Sequence, residues 1–169
     1  LYKPMPGYRF IASNTDRSRY YVGELNGKSS KQAYMDALHI SESNIINQTF
    51  HNPLGKMNGQ DICIISLKEV SGNGLCCYRQ VNDSDVLVLL EEQDYNEILD
   101  ETLQRIRRDF NHISGVFSIN CVFRYLLFSQ EHHMEDYLKT MSTLGEHAGL
   151  IGFGEHYNQQ FVNQTMTCV

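Results

Sequence analysis

The chain has 169 residues and a mass of 19.5 kDa; 41% of its residues are hydrophobic and 20% are charged. These proportions are typical of a globular protein, and the length predicts one domain or one compact half of a larger one. Fourteen Lys and Arg against twenty Asp and Glu give a net charge of −6, which argues against a nucleic-acid surface. The sequence has neither the roughly 18-residue apolar run of a transmembrane helix nor an opening signal peptide, so we expect no membrane contact.

Five cysteines lie mostly in or beside apolar runs, without a Cys-x-x-Cys pair: Cys63, Cys76, Cys77, Cys121 and Cys168. An odd number of cysteines in such settings predicts reduced, buried thiols in a cytoplasmic protein. The chain begins at Leu1 rather than at an initiator Met, and its last residues still have a strand pattern. We therefore expect it to be a piece of a longer protein.

The first half of the sequence alternates short β patterns with two short helical patterns. Residues 1–19 are polar and contain two prolines, which predicts a lead-in or linker. A capping box that opens at Ser29 predicts a first helix. A second short helix is predicted through 45–50, followed by a loop over 51–59. Strands are predicted over 20–25, 61–67, 75–78 and 86–90.

The second half predicts longer helices set between apolar strands. A capping box at Asp94 opens a long helix whose apolar residues fall on one stripe. A strand is predicted over 115–119, a third helix over 131–148, and two final strands over 150–153 and 161–169. Strands in a meander, followed by strand–helix–strand, predict an α+β fold with a mixed, largely antiparallel sheet and amphipathic helices packed on it.

Two polar clusters in the second half are the candidates for a functional site. One follows the 115–119 strand and the other follows the 150–153 strand; together they contain Asn120, Cys121, Arg124, Glu155 and His156. Polar groups at strand ends and turns commonly line small-molecule pockets. Arg124 can pair with a carboxylate, either of a ligand or of Glu155. We therefore expect the two clusters to face one site.

Alternatives to ligand binding stay open at these residues. Arg124 and Glu155 can form a structural salt bridge, which leaves no ligand anchor. Cys121 with His156 as base and Glu155 as acid can form the triad of a thiol-dependent enzyme, although a buried structural cysteine is commoner. Glu155 and His156 are the plausible metal ligands, but the spacings match no zinc signature. Without a phosphate-binding or dinucleotide motif, we expect no metal and no cofactor.

The order of these motifs resembles the C-terminal half of the FIST sensory domain family. The resemblance is carried by Cys121-x-x-Arg124 after an apolar strand, by Gly152-Phe153-Gly154-Glu155, and by Val162-Asn163-Gln164-Thr165. Upstream, Ala33 and Tyr34 in the first helix and the turn His51-Asn52-Pro53-Leu54 are similar to the family's opening. The resemblance extends over residues 20–169, which we predict to be the sensory domain.

The resemblance implies a cytoplasmic, non-catalytic input domain of a bacterial signal-transduction protein, such as a chemoreceptor. The implied ligand is a small molecule, with amino acids the usual suggestion. The implied partners are an N-terminal FIST half and a fused or separate output module, with homodimerisation left open. On this hypothesis the pocket is lined by Asn120, Cys121, Arg124, Glu155, His156, Asn163 and Tyr34. Arg124 would anchor a carboxylate and Glu155 an ammonium, and binding would shift a conformational equilibrium that the output module detects.

Overall fold

The computed structural model describes residues 1–59, 61–157 and 160–169, with the backbone alone at residues 156, 157, 160 and 161. The chain divides into two compact units, Tyr2–Glu92 and Gln93–Val169, the second of which also includes Leu1. We call them the N-terminal and C-terminal units. Each contains its own strands and helices, so the predicted α+β class is confirmed. No helix of the described residues combines the length and apolar character that a membrane crossing requires.

The N-terminal unit is built on an antiparallel sheet. In chain order its elements are β1 (Tyr2–Asp16), β2 (Tyr21–Leu25), β3 (Lys28–Ser29), α1 (Ser30–Leu38), a 3-10 turn (Glu42–Asn44), α2 (Ile45–Gln48), β4 (Leu54–Asn58), β5 (Asp61–Ile65), β6 (Leu67–Ser71), β7 (Gly74–Cys77) and β8 (Val86–Glu92). The strands lie in the order β5-β4-β8-β1-β2-β7-β6, and β3 pairs with β2. A cluster of buried side chains, including Tyr34, Leu75 and Leu87, forms the core of this unit.

Residues 1–19 differ from the predicted lead-in or linker, because they contribute the longest strand of this sheet. β1 lies between β8 and β2. Its pairing with β8 shifts register between Pro4 and Arg9. Proline has no amide hydrogen for the ladder, and this irregularity lets the strand pass its two prolines while staying within the sheet. The predicted 51–59 loop likewise contains a strand, β4, which pairs with β5 and β8.

The described residues of the C-terminal unit form three helices and two small sheets. Its elements are α3 (Tyr95–Asp109), β9 (Gly115–Cys121), α4 (Val122–Gln130), α5 (Met134–Ser142), β10 (Glu146–Gly152), β11 (Glu155–Tyr157), β12 (Gln160–Val162) and β13 (Met166–Cys168). β9 is the central strand of a three-stranded sheet; it is parallel to β10 and antiparallel to β13. β11 and β12 form a separate antiparallel pair.

The single helix predicted over 131–148 is wrong. Its N-terminal part falls at the break between α4 and α5, where His132 has a φ of 56° in the left-handed region. Its C-terminal part is the start of β10. The apolar spacing through α5 is helical, and Ala148 continues that spacing by coincidence. In the structure, Ala148 is an exposed residue of β10 that pairs with Phe117 of β9.

Candidate functional site

β9 carries two of the predicted site residues and directs them to opposite faces of its sheet. Successive side chains of a strand alternate in direction, so Asn120 shares a face with Ser118, while Cys121 lies on the other. All three side chains are buried, with Ser118 fully enclosed and Asn120 9% exposed. The candidate site therefore has two parts, a cavity beside Asn120 and a buried polar cluster that includes Cys121.

The first part is a cavity of about 300 Å³ lined by residues of β9, β10, α4 and α5. We call it the β9–β10 cavity. Its polar lining comes from Ser118, Asn120, Tyr125, Tyr137 and His147, and its larger apolar lining residues are Met134, Leu138, Leu150 and Ile151. The lining contains no Asp, Glu, Lys or Arg. The cavity thus offers hydrogen-bonding groups on a largely apolar wall, without a fixed charge.

A hydrogen-bond network connects the polar residues of the β9–β10 cavity. Asn120 Nδ2 donates to Tyr137 Oη at 3.0 Å and to Ser118 Oγ at 3.4 Å. Ser118 Oγ is 2.8 Å from His147 Nε2, and the Tyr137 hydroxyl donates to Met166 Sδ at 3.0 Å. Asn120 Oδ1 is buried and has no hydrogen-bond partner among the described residues. The network therefore holds the amide in place and leaves one acceptor unfilled.

The second part, which we call the buried polar cluster, consists of Cys121, Arg124, Glu155 and Thr165. Arg124 is 8% exposed and Glu155 is 4% exposed. The Thr165 hydroxyl donates to Glu155 Oε2 at 2.5 Å, and the Cys121 backbone N–H donates to the Thr165 carbonyl at 3.1 Å. These bonds join the end of β9 to the start of β11 and to the segment that precedes β13.

The acid and the thiol of the buried polar cluster both have pKa values above their ordinary ones. Burial raises the pKa of Glu155, and the Thr165 hydrogen bond and the positive charge of Arg124 oppose that rise. Burial also raises the pKa of Cys121, and the negative charge of Glu155 acts in the same direction. A nucleophilic cysteine requires a lowered pKa and access to substrate. Cys121 has the opposite properties, which disfavours its use as a catalytic thiol.

Tyr137 contacts both parts of the site. The Arg124 guanidinium carbon lies 5.4 Å from the centroid of the Tyr137 ring and 4.7 Å from that of Phe128, so the cation is stacked against two aromatic rings. The Tyr137 hydroxyl belongs to the network of the β9–β10 cavity through Asn120. A movement of the Tyr137 side chain would therefore change contacts in both the cavity and the buried polar cluster.

The remaining predicted site residues lie elsewhere or beyond what is described. Asn163 is buried in the segment between β12 and β13. Tyr34 belongs to the core of the N-terminal unit, where its hydroxyl donates to the Asn52 carbonyl at 2.7 Å and burial raises its pKa. The side chain of His156 lies outside the described residues.

Three residues of the site have no signal in the sequence that singles them out: Ser118, Tyr137 and His147. Tyr137 fits the apolar stripe of a helix, and His147 falls inside the wrongly predicted helix over 131–148. Ser118 and His147 meet because β10 runs parallel to β9, in a register that sets Gly149 opposite Ser118. A correct prediction of β10 as a strand beside β9 would have been the signal needed to find the pair.

The protein-family model of the FIST C domain matches residues 31–158. This match covers well over half of the chain and includes every lining residue of the β9–β10 cavity as well as Cys121, Arg124 and Glu155. The chain belongs to the FIST C domain family. The match confirms the resemblance seen in the sequence. The FIST C family is a sensory domain family rather than a catalytic one. Neither curated proteins nor solved structures give a significant match to this FIST C domain.

Proposed function

We propose that this FIST C domain is the ligand-binding input domain of a cytoplasmic bacterial signal-transduction protein, such as a chemoreceptor. It binds a small molecule, with amino acids as the first class to test, and passes its state to an output module outside the chain. An N-terminal FIST half is the second proposed partner, and self-association into a homodimer is a third. We propose no nucleic-acid or membrane contact, no cofactor and no catalysis for this domain.

The observation that carries the proposal is the β9–β10 cavity itself. Small-molecule sites are concave and mostly apolar, with a few placed polar groups that fix the orientation of the ligand. The cavity has this composition, with the polar residues Ser118, Asn120, Tyr125, Tyr137 and His147 set among apolar ones.

For an amino-acid ligand we propose that Arg124 anchors the carboxylate and Glu155 the ammonium. Neither residue belongs to the lining of the cavity, whereas Tyr137 contacts Arg124 and also lines the cavity. We propose that a ligand of the cavity reaches Arg124 by displacing the Tyr137 ring. This displacement provides the conformational change that an output module would detect, because the ligand would bind one arrangement of α5 better than the other. Cys121, Asn163 and His156 are the remaining proposed site residues.

A thermal-shift screen of the chain against the common amino acids and small carboxylates tests this proposal. A true ligand at about one hundred times its Kd raises the free energy of unfolding by about 2.7 kcal/mol. We expect the shift to disappear in Arg124→Gln and in Glu155→Gln. The control is Asp94→Ala, which removes a helix cap in the same unit and leaves the site untouched. A shift that persists in Arg124→Gln, or no shift with any amino acid or carboxylate, would contradict the proposal.

A further inference from the structure

We propose that β10 pairs with β10 of a second copy of this chain, antiparallel and across a two-fold axis at Gly149. The three-stranded sheets of the two copies then become one continuous sheet. This inference rests on the proposed function, since it gives the interface and the geometry of the homodimer named there. Ligand binding is measured separately, so the two proposals can fail independently.

β10 is an edge strand whose outer side is unpaired among the described residues. Its sheet has the order β10-β9-β13, so β9 lies on one side of β10 and no described strand lies on the other. Backbone hydrogen bonds join residues 146–152 to no other described element. Leu150 and Ile151 point to opposite faces of the strand, and each is 48% exposed. Such an edge presents backbone N–H and C=O groups that another strand can bind.

β10 lacks the features that protect natural edge strands from other chains. Protected edges are commonly short, bulged, or marked by charged residues or proline. β10 pairs with β9 over seven consecutive residues without a shift in register. After Glu146 it contains no proline and no Asp, Glu, Lys or Arg. A strand that is long, regular and uncharged is therefore a template for another strand.

The other edge strands of the two larger sheets are shorter or better protected. β6 carries exposed Lys68 and Glu69, and its pairing with β7 shifts register between Leu67 and Glu69. β5 has five residues, of which Asp61 alone is exposed. β13 has three residues. β10 is therefore the edge best suited to receive an added strand.

The sequence of β10 complements itself when two copies run antiparallel. Pairing over the whole strand with the axis at Gly149 sets each remaining residue opposite a different one: Ala148 opposite Leu150, His147 opposite Ile151, and Glu146 opposite Gly152. Each Leu150 then lies beside a small side chain. The two glutamates stand at opposite ends of the interface, so like charges are not opposed. A parallel pairing in register would instead set Glu146 opposite its own copy.

A two-fold pairing also explains how the edge can be left unprotected without further growth of the sheet. The axis uses the same edge of both copies, so assembly stops at two. The ends of the joined sheet are then the two β13 strands, which are short edges. β10 also lines the β9–β10 cavity through residues 148–151. The dimer interface and the proposed ligand cavity therefore share a strand.

Sedimentation velocity of the full chain between about 1 μM and about 300 μM tests the inference, and we expect a monomer–dimer equilibrium in that range. Leu150→Lys places a charge twice in each interface and should raise the Kd of the dimer by about tenfold or more. Leu138→Lys is the matched control, because Leu138 is 44% exposed and lies on α5. Its dimer should keep its Kd within about twofold. A monomeric native chain, or the same Kd in both variants, would overturn the inference.

Amide hydrogen exchange of the native chain, followed residue by residue by NMR, keeps the test decisive if Leu150→Lys fails to fold. The amides of β10 that do not face β9 point to the free edge. We expect them to exchange about tenfold more slowly in the dimer than in the diluted monomer. Unchanged exchange at these amides in a sample that dimerises would place the interface elsewhere and overturn the inference.

The thermal-shift screen separates a failure of this inference from a failure of the proposed function. A chain that stays monomeric and still shows a ligand-dependent shift overturns the pairing of copies alone, and leaves the edge of β10 to a strand of another protein. Absence of a shift with every amino acid and carboxylate contradicts the proposed function, whether or not the chain dimerises through β10.

Discussion

Replacing Tyr137 by Phe removes one hydroxyl group from the middle of the site and leaves the aromatic packing intact. Tyr137 is 1% exposed. Its ring, 5.5 Å from that of Phe128 and 5.4 Å from the Arg124 guanidinium carbon, stays in place in the variant. The hydroxyl that is lost accepts from Asn120 Nδ2 and donates to Met166 Sδ, both at 3.0 Å. The change is therefore confined to two hydrogen bonds.

The expected loss is about 1–3 kcal/mol of unfolding free energy, the cost of leaving a buried donor without its partner. The affected donor is Asn120 Nδ2, which the variant leaves with only its 3.4 Å contact to Ser118 Oγ among its hydrogen bonds given by the described residues. If this explanation is correct, Asn120→Leu in the same chain removes the donor that Tyr137→Phe leaves unpaired. The double variant should then be less destabilised than the sum of the two single variants, by about 1 kcal/mol or more.

Urea unfolding followed by far-UV circular dichroism measures these free energies. Equal m-values for the native protein and each variant show that the same unfolding transition is being compared. Hydrogen exchange at the Cys121 amide, which donates to the Thr165 carbonyl, reports on the C-terminal unit separately. Tyr20→Phe is the matched control, because it makes the same chemical change on a side chain that is 46% exposed. Equal losses for Tyr137→Phe and Tyr20→Phe, or exact additivity in the double variant, would refute the reasoning.

Three further predictions concern the acid, a helix cap and a thiol. Burial raises the pKa of Glu155 from its ordinary 4.5. The unfolding free energy of the native protein, measured relative to that of Glu155→Gln, should therefore fall as pH rises from 4.5 through the raised pKa. A difference in unfolding free energy that does not change with pH would contradict this. Asp94→Ala removes the side-chain acceptor of two backbone N–H groups at the start of α3 and should cost about 1 kcal/mol in the same assay, whereas unchanged stability would show that the cap contributes nothing. Iodoacetamide should label exposed Cys168 faster than buried Cys121, and the reverse order by peptide mass spectrometry would revive the thiol-enzyme alternative.

The features that sequence could predict depend on signals a few residues apart. Ser29 caps α1 by accepting from the Gln32 backbone N–H, and Asp94 caps α3 by accepting from the backbone N–H groups of Asn96 and Glu97. In each case the capping residue and the helix that it starts lie within one turn, so tertiary structure does not alter the pattern.

The features that sequence could not predict depend on pairings made far along the chain. β1 contains two prolines, which locally argue against a strand, and it is a strand because β2 and β8 lie on either side of it. β10 continues a helical spacing of apolar residues and becomes a strand because β9 offers it a parallel edge. Such tertiary contacts override local preference, and they decide where Ser118 and His147 meet.

The candidate site shows the same division between local and long-range signals. Arg124 follows Cys121 by three residues, and the charge types of Arg124 and Glu155 made an interaction between them a reasonable prediction from sequence. The structure brings the two near enough for the charge of Arg124 to act on the pKa of Glu155. The cavity beside Asn120 could not be foreseen, because its wall is assembled from four elements.

The two parts of the site differ in how a ligand would act on them. In the buried polar cluster, Glu155 Oε2 accepts the Thr165 hydroxyl and the charge of Arg124 acts on the carboxyl, while Glu155 Oε1 is buried without a hydrogen-bond partner among the described residues. The β9–β10 cavity is instead an existing space, so a ligand that fits it can bind between β10 and α5 without moving the residues of the buried polar cluster. A ligand of the cavity therefore stabilises the arrangement of β9, β10 and α5 that is present without it. A ligand that reaches Arg124 by the displacement of Tyr137 proposed above would instead select a different arrangement. The two ligand classes would then have opposite effects on the conformational equilibrium that a sensory domain transmits.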